Sequence, residues 1–132
     1  MTCVLIVDDD ATIREMLRET LEDEGYAVLE ATDGVEGLAR IRASQERLVV
    51  LIDQLMPKLD GWGMLRAIQA DPHLARQHAY LLLTARSRLS KPLLEGAAAL
   101  AVPIIRKPFE LETLLLSVAH AAQVSRPEES DQ

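Results

Sequence analysis

The stretch LIVDDDATIR, residues 5–14, runs from three apolar residues through three consecutive acids into a helical pattern. After the acids, apolar residues recur at helical spacing with charged residues between them: Ile13, Met16, Leu17 and Leu21. A short apolar run followed by an amphipathic helix indicates a β-α unit. Because three neighbouring carboxylates repel one another, we expect positive charge or hydrogen-bond donors close to this turn.

The same β-α pattern occurs five times along the chain. The predicted strands are short and rich in leucine or β-branched residues: CVLIV (3–7), YAVLEA (26–31), VVLI (49–52), YLLLT (80–84) and VPIIR (102–106). A helical pattern follows each strand, with apolar positions beginning near residues 13, 35, 64, 93 and 111. Strands with continuous apolarity are covered on both faces. We therefore predict a five-stranded parallel sheet with helices on both faces, a three-layer α/β sandwich.

Composition limits the classes of partner. The chain has 132 residues, 48% of them apolar and 27% charged, which fits one globular domain;. Its 21 acids outnumber its 14 bases, so we expect no direct binding to nucleic acid;. The longest apolar runs are far shorter than the ~20 residues that cross a bilayer. With one cysteine, Cys3, and no secretion signal, we expect a cytoplasmic protein;.

Polar residues lie at or directly after the C-terminal ends of four of the five predicted strands. They are Asp8, Asp9 and Asp10 after the first strand, Asp53 after the third, Thr84 at the end of the fourth, and Lys107 after the fifth. In open parallel sheets the ligand site lies beyond the carboxyl ends of the strands, where the strand order reverses. These residues are therefore predicted to form one site.

The chemistry of these residue types is that of phosphoryl transfer to a carboxylate. Clustered carboxylates are ligands for Mg²⁺, with Mn²⁺ as the alternative ion. Asp53 can act as a nucleophile towards phosphorus. Lys107 offers a positive charge and Thr84 a hydroxyl donor for the phosphoryl oxygens. The sequence predicts a site that forms an aspartyl phosphate.

Four motifs occur in a fixed order: VLIVDDD, LIDQLMPKLDGW, LLLTAR and IIRKPFE. Together they resemble the receiver domain of bacterial two-component response regulators. The resemblance covers residues 1–123 and implies a flavodoxin-like fold with strand order 2-1-3-4-5. Residues 124–132 form a polar, acidic tail that we expect to be disordered;.

The resemblance also implies a role for each site residue. Asp53 would accept a phosphoryl group from a sensor histidine kinase or a histidine phosphotransfer protein. A magnesium ion would be held by Asp8, Asp9, Asp53 and the backbone carbonyl of Leu55. The phosphoryl group would contact Thr84, Ala85 and Lys107. Such a chain is a signalling phosphoacceptor rather than an enzyme, with only self-phosphorylation and slow self-dephosphorylation, and it acts through a downstream protein effector.

The chain departs from the family pattern near its fifth strand. Ile104 occupies the position where the family usually has an aromatic switch residue, three residues before Lys107. The surrounding sequence is unusually apolar, and one interpretation is a homodimer interface made by the fourth predicted helix, the fifth strand and the fifth predicted helix. The candidate interface residues are Leu93, Leu94, Leu100 and Ile104. Ordinary core packing is the alternative interpretation of these residues.

Other polar residues have simpler interpretations. Asp10 is predicted to cap the first helix, and Asp60-Gly61 to form a turn before a helix. The three histidines lack a partner at metal-ligand spacing and are predicted to lie on the surface: His73, His78 and His120;.

Two other functions are consistent with part of the sequence. Asp8, Asp10 and Thr12 match the nucleophile motif of haloacid-dehalogenase-like phosphohydrolases, but the metal-binding acids expected after Lys107 are missing and Asp53 has no role. An unphosphorylated pseudo-receiver that only binds proteins is the other alternative. It is disfavoured because every residue needed for phosphorylation is present.

Overall fold

The computed structural model describes residues 1–123. Its strands are β1 (Cys3–Val7), β2 (Ala27–Ala31), β3 (Leu48–Asp53), β4 (Ala79–Thr84) and β5 (Ile104–Arg106). Its helices are α1 (Ala11–Asp23), α2 (Gly34–Ala43), α3 (Gly61–Gln69), α4 (Pro72–Gln77), α5 (Lys91–Ala99) and α6 (Leu111–Gln123). The predicted tail, residues 124–132, lies outside the described residues, so the domain boundary at residue 123 stays a prediction.

The five strands form one parallel sheet in the order β2-β1-β3-β4-β5. This confirms the predicted fold class and strand order. Val7, at the end of β1, is paired with Ala31 of β2 and Ile52 of β3. The carboxyl ends of these neighbouring strands are therefore level with one another. The order reverses between β1 and β3, which places a crevice at that edge.

Hydrophobic side chains on each face of the sheet form a separate core layer. Helices α1 and α6 cover one face, with a core that includes Val4, Ile6, Leu17, Leu21, Leu114 and Val118. Helices α2 to α5 cover the other, with a core that includes Leu5, Val7, Ile41, Met64, Ile68 and Leu93. Successive residues of a strand point to opposite faces. The central strands are apolar without interruption because both of their faces are buried.

Helices α1 to α5 each begin after a side chain that accepts a hydrogen bond from a backbone N–H of the first turn. These cap residues are Asp10, Asp33, Asp60, Asp71 and Ser90. A carboxylate at a helix N-terminus satisfies otherwise unpaired N–H groups and interacts favourably with the helix dipole. Several of the acids that make this chain strongly negative thus have a structural role.

The short helix α4 was not predicted from the sequence. Its six residues are too few to show a hydrophobic period, although Asp71 followed by Pro72 is a helix-start signal;. The helix ends at Gln77, and the residue that follows, His78, is fully buried. The N–H of Leu48 donates to His78 Nδ1 at 2.9 Å, and Nε2 lies 3.2 Å from the carbonyl oxygen of Ile41. The surface prediction is therefore wrong for His78, while His73 and His120 are exposed.

We expect His78→Leu to lower the free energy of unfolding by about 2–4 kcal/mol, because each buried backbone group left unpaired costs about 1–3 kcal/mol. Here the two groups are the N–H of Leu48 and the carbonyl of Ile41. Urea denaturation measures the change, with the exposed His73→Leu as the matched control. Equal stability of the two variants would contradict a bridging role for His78.

Candidate functional site

Three carboxylates converge at the carboxyl edge of the sheet. Asp8 and Asp9 follow β1, and Asp53 is the last residue of the adjacent β3. One oxygen from each carboxylate lies within 4.8 Å of the others. Asp8 and Asp53 are buried, whereas Asp9 is exposed. We call Asp8, Asp9 and Asp53 the acid pocket. They were predicted to share one site, and the structure brings them together.

Lys107 supplies the positive charge that faces the acid pocket. Its Nζ lies 2.7 Å from Oδ1 of Asp53 and 3.9 Å from Oδ2 of Asp8. Its backbone N–H donates to the carbonyl oxygen of Thr84 at 2.7 Å, which ties the residue after β5 to the end of β4. A single ammonium therefore serves two of the three carboxylates.

Thr84 is buried at the end of β4, next to the strand that carries Asp53. Its Oγ1 accepts a hydrogen bond from the N–H of Arg86 at 3.1 Å, which leaves the hydroxyl hydrogen available for donation;. Ala85 is exposed directly after it. Leu55 is exposed two residues after Asp53. The ligand roles assigned to Leu55 and Ala85 stay predictions.

Asp10 belongs to helix α1, as predicted. Its Oδ1 accepts the N–H groups of Thr12 at 2.9 Å and Ile13 at 3.3 Å. Its own N–H donates to Oδ1 of Asp8 at 2.9 Å. The third acid of the DDD run thus caps a helix and also helps to orient the first acid.

Burial and mutual repulsion disfavour the ionised forms of two acids. Burial raises the pKa of Asp8 to about 6; the hydrogen bond from Asp10 lowers it, and the Asp53 charge raises it further;. Burial also raises the pKa of Asp53, and this rise is opposed by its hydrogen bond with Lys107. Asp8 and Asp53 are therefore both easier to protonate than a free aspartate;.

The acid pocket fits a hard divalent cation. Within residues 1–123, the buried Oδ2 of Asp8 has no hydrogen-bond partner. A buried carboxylate oxygen without a donor is costly, and a bound cation would satisfy it. The donor set consists of carboxylate oxygens, which suits Mg²⁺.

The predicted interface residues divide between core and surface. Leu93 is only 2% exposed and packs in the core, so its assignment to an interface is wrong. Its neighbour Leu94 is 42% exposed on the other side of α5. Leu100 and Ile104 are partly buried against the core. Two exposed leucines of α6 were not predicted, Leu111 and Leu116, because sequence periodicity alone does not give the width of a helix's buried face;.

Arg14, one of the charged residues between the apolar positions of the first helix, was not predicted to contribute to the site. The guanidinium of Arg14 reaches the backbone carbonyl of Asp8, with Nη1 2.6 Å from the oxygen. Helical side chains point back towards the N-terminus of their helix, so a long donor in the first turn was a usable signal.

The family model of the response regulator receiver domain matches residues 4–119. The chain belongs to this family. It is the receiver domain of a two-component response regulator, a signalling phosphoacceptor rather than an enzyme. Family membership sets aside the phosphohydrolase alternative. None of the helices in residues 1–123 is long and apolar enough to span a membrane.

Curated relatives and solved structures agree with this family. Response regulator MprA of Mycobacterium bovis is 37% identical over 127 residues, which are 96% of this chain and 53% of the relative. MprA of Mycobacterium avium is 37% identical over 126 residues, with the same coverage. The receiver thus spans about half the length of the curated relatives it matches.

Among solved structures, a CheY-like receiver domain protein from Methanospirillum hungatei has a TM-score of 0.80 and 31% identity, with 92% of this chain and 94% of that chain covered. Chemotaxis protein CheY4 of Vibrio cholerae has a TM-score of 0.76 and 32% identity, with 92% and 98% covered. Both likenesses extend over nearly the whole receiver.

We expect Asp8→Asn to raise the free energy of unfolding of the metal-free receiver at pH 7.5 by about 1–3 kcal/mol, since each unit of raised pKa costs about 1.4 kcal/mol in the ionised form. The substitution removes a buried charge and keeps the size of the side chain. Urea denaturation with a chelator present gives the comparison. Asp10→Asn is the control, because asparagine caps helices as well as aspartate does. A wild type as stable as Asp8→Asn would contradict the electrostatic cost.

The cost of ionising the buried Asp8 also makes the free energy of unfolding depend on pH. Between the ordinary pKa of an aspartate, 3.8, and the raised pKa of Asp8, about 6, the folded receiver binds more protons at this residue than the unfolded chain does;. The contribution of Asp8 to stability therefore increases as the pH falls through this range. We expect the stability difference between wild type and Asp8→Asn to narrow from pH 7.5 to pH 5, in parallel urea titrations. A difference independent of pH would contradict the assignment to Asp8.

Proposed function

We propose that Asp53 of this receiver accepts a phosphoryl group from the phosphohistidine of a sensor histidine kinase or a histidine phosphotransfer protein. Family membership implies a histidine kinase as partner. The observation that supports Asp53 as the acceptor is its 2.7 Å contact with Lys107 inside the acid pocket. Asp53 is the pocket carboxylate that accepts a hydrogen bond from Lys107, and it is the last residue of the central strand β3.

In the proposed step, a carboxylate oxygen of Asp53 forms a bond to phosphorus while the bond from phosphorus to the donor imidazole nitrogen breaks. The imidazole leaves with the electron pair, and Asp53 becomes an acyl phosphate. Lys107 is within reach of the incoming phosphoryl oxygens, and Thr84 has a hydroxyl hydrogen to donate to them;. These groups position the phosphoryl group and neutralise its charge.

We further propose that Asp8, Asp9 and Asp53, with the backbone carbonyl of Leu55, hold Mg²⁺, or Mn²⁺ in its place. The unpartnered Oδ2 of Asp8 supports this assignment. When bound, such an ion would supply positive charge that offsets the charge of the carboxylates and of the phosphoryl group. With a cytoplasmic kinase domain as donor, the reaction takes place in the cytoplasm.

The proposed output is association with a protein. Without the usual aromatic at Ile104, we propose that phosphorylation acts through α5, β5 and α6. The loop after Thr84 leads into α5, and Lys107 lies between β5 and α6. Leu94, Leu100 and Ile104 belong to this face. Its occupant is a second receiver or a downstream effector.

We expect Asp53→Asn to reduce phosphorylation by a labelled small acyl phosphate with Mg²⁺ to less than about 1% of wild type, because an amide lacks the nucleophilic oxygen of a carboxylate. Asp60→Asn is the control, since Asp60 caps α3 outside the acid pocket. Retained label is measured on denatured protein. Equal labelling of Asp53→Asn and wild type would show that another residue is the acceptor.

We expect phosphorylation to shift the receiver from monomer towards dimer, and Leu94→Glu to prevent the shift by placing a charge on the α5 face. Leu29→Glu is the matched control, because Leu29 lies on the edge strand β2 and is 38% exposed, close to the 42% of Leu94. Size-exclusion chromatography with light scattering gives the mass. A wild type that stays monomeric in both states would remove the dimer from the proposed output.

A further inference from the structure

Arg14 makes two contacts that join the acid pocket to the edge strand β2. Its Nη1 donates to the backbone carbonyl oxygen of Asp8 at 2.6 Å, and its Nε donates to Oε1 of Glu30 at 3.0 Å. The Arg14 side chain is only 14% exposed. Both contacts are therefore partly shielded from water, which strengthens charge-assisted hydrogen bonds;.

The conformation of Asp8 is fixed from three sides. Its N–H donates to the carbonyl of Ala31 at 3.1 Å, and its Oδ1 accepts the N–H of Asp10 at 2.9 Å. The third anchor is Arg14, which holds the Asp8 carbonyl. These bonds leave Oδ2 of Asp8 facing Lys107 at 3.9 Å. These three hydrogen bonds thus set the direction of Oδ2, the oxygen of Asp8 that remains free to bind a ligand.

Glu30 holds the guanidinium of Arg14 in place. Glu30 is paired with Ile6 of β1 in the sheet register, and Ile6 belongs to the face covered by α1. One carboxylate oxygen of Glu30 binds Nε of Arg14, and the other binds Nε of Arg18 at 2.7 Å. A planar guanidinium held at one edge presents its remaining N–H groups in a fixed direction.

We propose that Arg14 is a positioning residue of the phosphoacceptor site, which acts through the Asp8 backbone to orient the Asp8 carboxylate for a divalent cation. Among the described residues, Arg14 makes no hydrogen bond or ion pair with the acid pocket carboxylates; its bond to Asp8 is to the backbone carbonyl. This inference rests on the proposed function, in which Asp8 is a metal ligand. In this inference, Arg14 stabilises the β1–α1 turn, in which neighbouring acids repel one another.

The direction in which cation affinity changes when Arg14 is replaced distinguishes positioning from simple electrostatics. Arg14 carries a positive charge near the acid pocket, so Coulomb's law alone predicts that its removal strengthens the binding of a cation. Positioning predicts weaker binding, because the Asp8 turn loses one of its three anchors. Arg18 provides a matched control. It has the same charge, lies one helical turn further along α1 and binds the same Glu30, without a bond to the Asp8 carbonyl.

The test is a Mg²⁺ titration of urea unfolding for wild type, Arg14→Gln, Arg14→Lys and Arg18→Gln. Stabilisation by an ion that binds only the folded state follows from its dissociation constant and concentration. The metal-free stability is the value at zero Mg²⁺. A substitution that only destabilises the fold therefore lowers the free energy of unfolding at zero Mg²⁺ and leaves the Mg²⁺ dissociation constant unchanged.

We expect Arg14→Gln to raise the Mg²⁺ dissociation constant about 10-fold, as is typical when a residue that orients a metal ligand is lost. Arg14→Lys should raise it at least about threefold, because an ammonium cannot reproduce the planar fork. Arg18→Gln should leave it within about twofold of wild type. The Mg²⁺ concentration for half-maximal phosphorylation by a small acyl phosphate should shift by the same factors.

The outcomes separate the inference from the proposed function. No Mg²⁺ stabilisation of the wild type would contradict the metal site itself. With a wild type that binds Mg²⁺, an unchanged or lower dissociation constant in Arg14→Gln, or a wild-type constant in Arg14→Lys, would overturn the role of Arg14. An equal loss in Arg18→Gln would overturn it too, since the common factor would then be the ion pair with Glu30.

Discussion

The contact between Lys107 and Asp53, 2.7 Å across the carboxyl edge of the sheet, is the interaction on which the site depends. It joins the residue after the last strand to the end of a central strand, and it places one ammonium among three carboxylates. Without that charge the ionised forms of Asp8 and Asp53 would face each other in a largely buried crevice, where Coulomb repulsion is strong. The parallel topology makes the contact possible, because it alone brings these distant residues to one edge.

The surrounding structure organises the acids by giving them different tasks. Asp10 caps α1 and turns its N–H towards Asp8, while Arg14 holds the Asp8 carbonyl. Asp53 is paired with Lys107, and Oδ2 of Asp8 is left without a hydrogen-bond donor in the described residues. Ionised carboxylates in a buried site cost stability, and a cation bound there would offset that cost;. The burial of Asp8 and Asp53 that favours ligand binding therefore also lowers the stability of the fold.

Most of the fold and the acid pocket could be predicted because their signals are local. Uninterrupted apolar strands such as 49–52 require cover on both faces, and alternation with amphipathic helices then requires a parallel sheet. That sheet brings Asp8 and Asp53 together. The prediction was wrong where burial depends on distant neighbours. His78 looked like a surface histidine but bridges Leu48 and Ile41, and Leu93 looked like an interface residue but packs in the core.

The sequence by itself determined the order of elements, the sheet edge at which the polar residues meet, and the chemical types present there, since strand period and residue chemistry do not depend on distant contacts. Only the tertiary structure decided which oxygen of Asp8 lacks a donor, which carboxylate binds Lys107, and that Arg14 reaches back to the Asp8 carbonyl. These depend on side-chain directions and on distances between elements far apart in the chain. Such distances are fixed by packing, in which every residue of both core layers takes part.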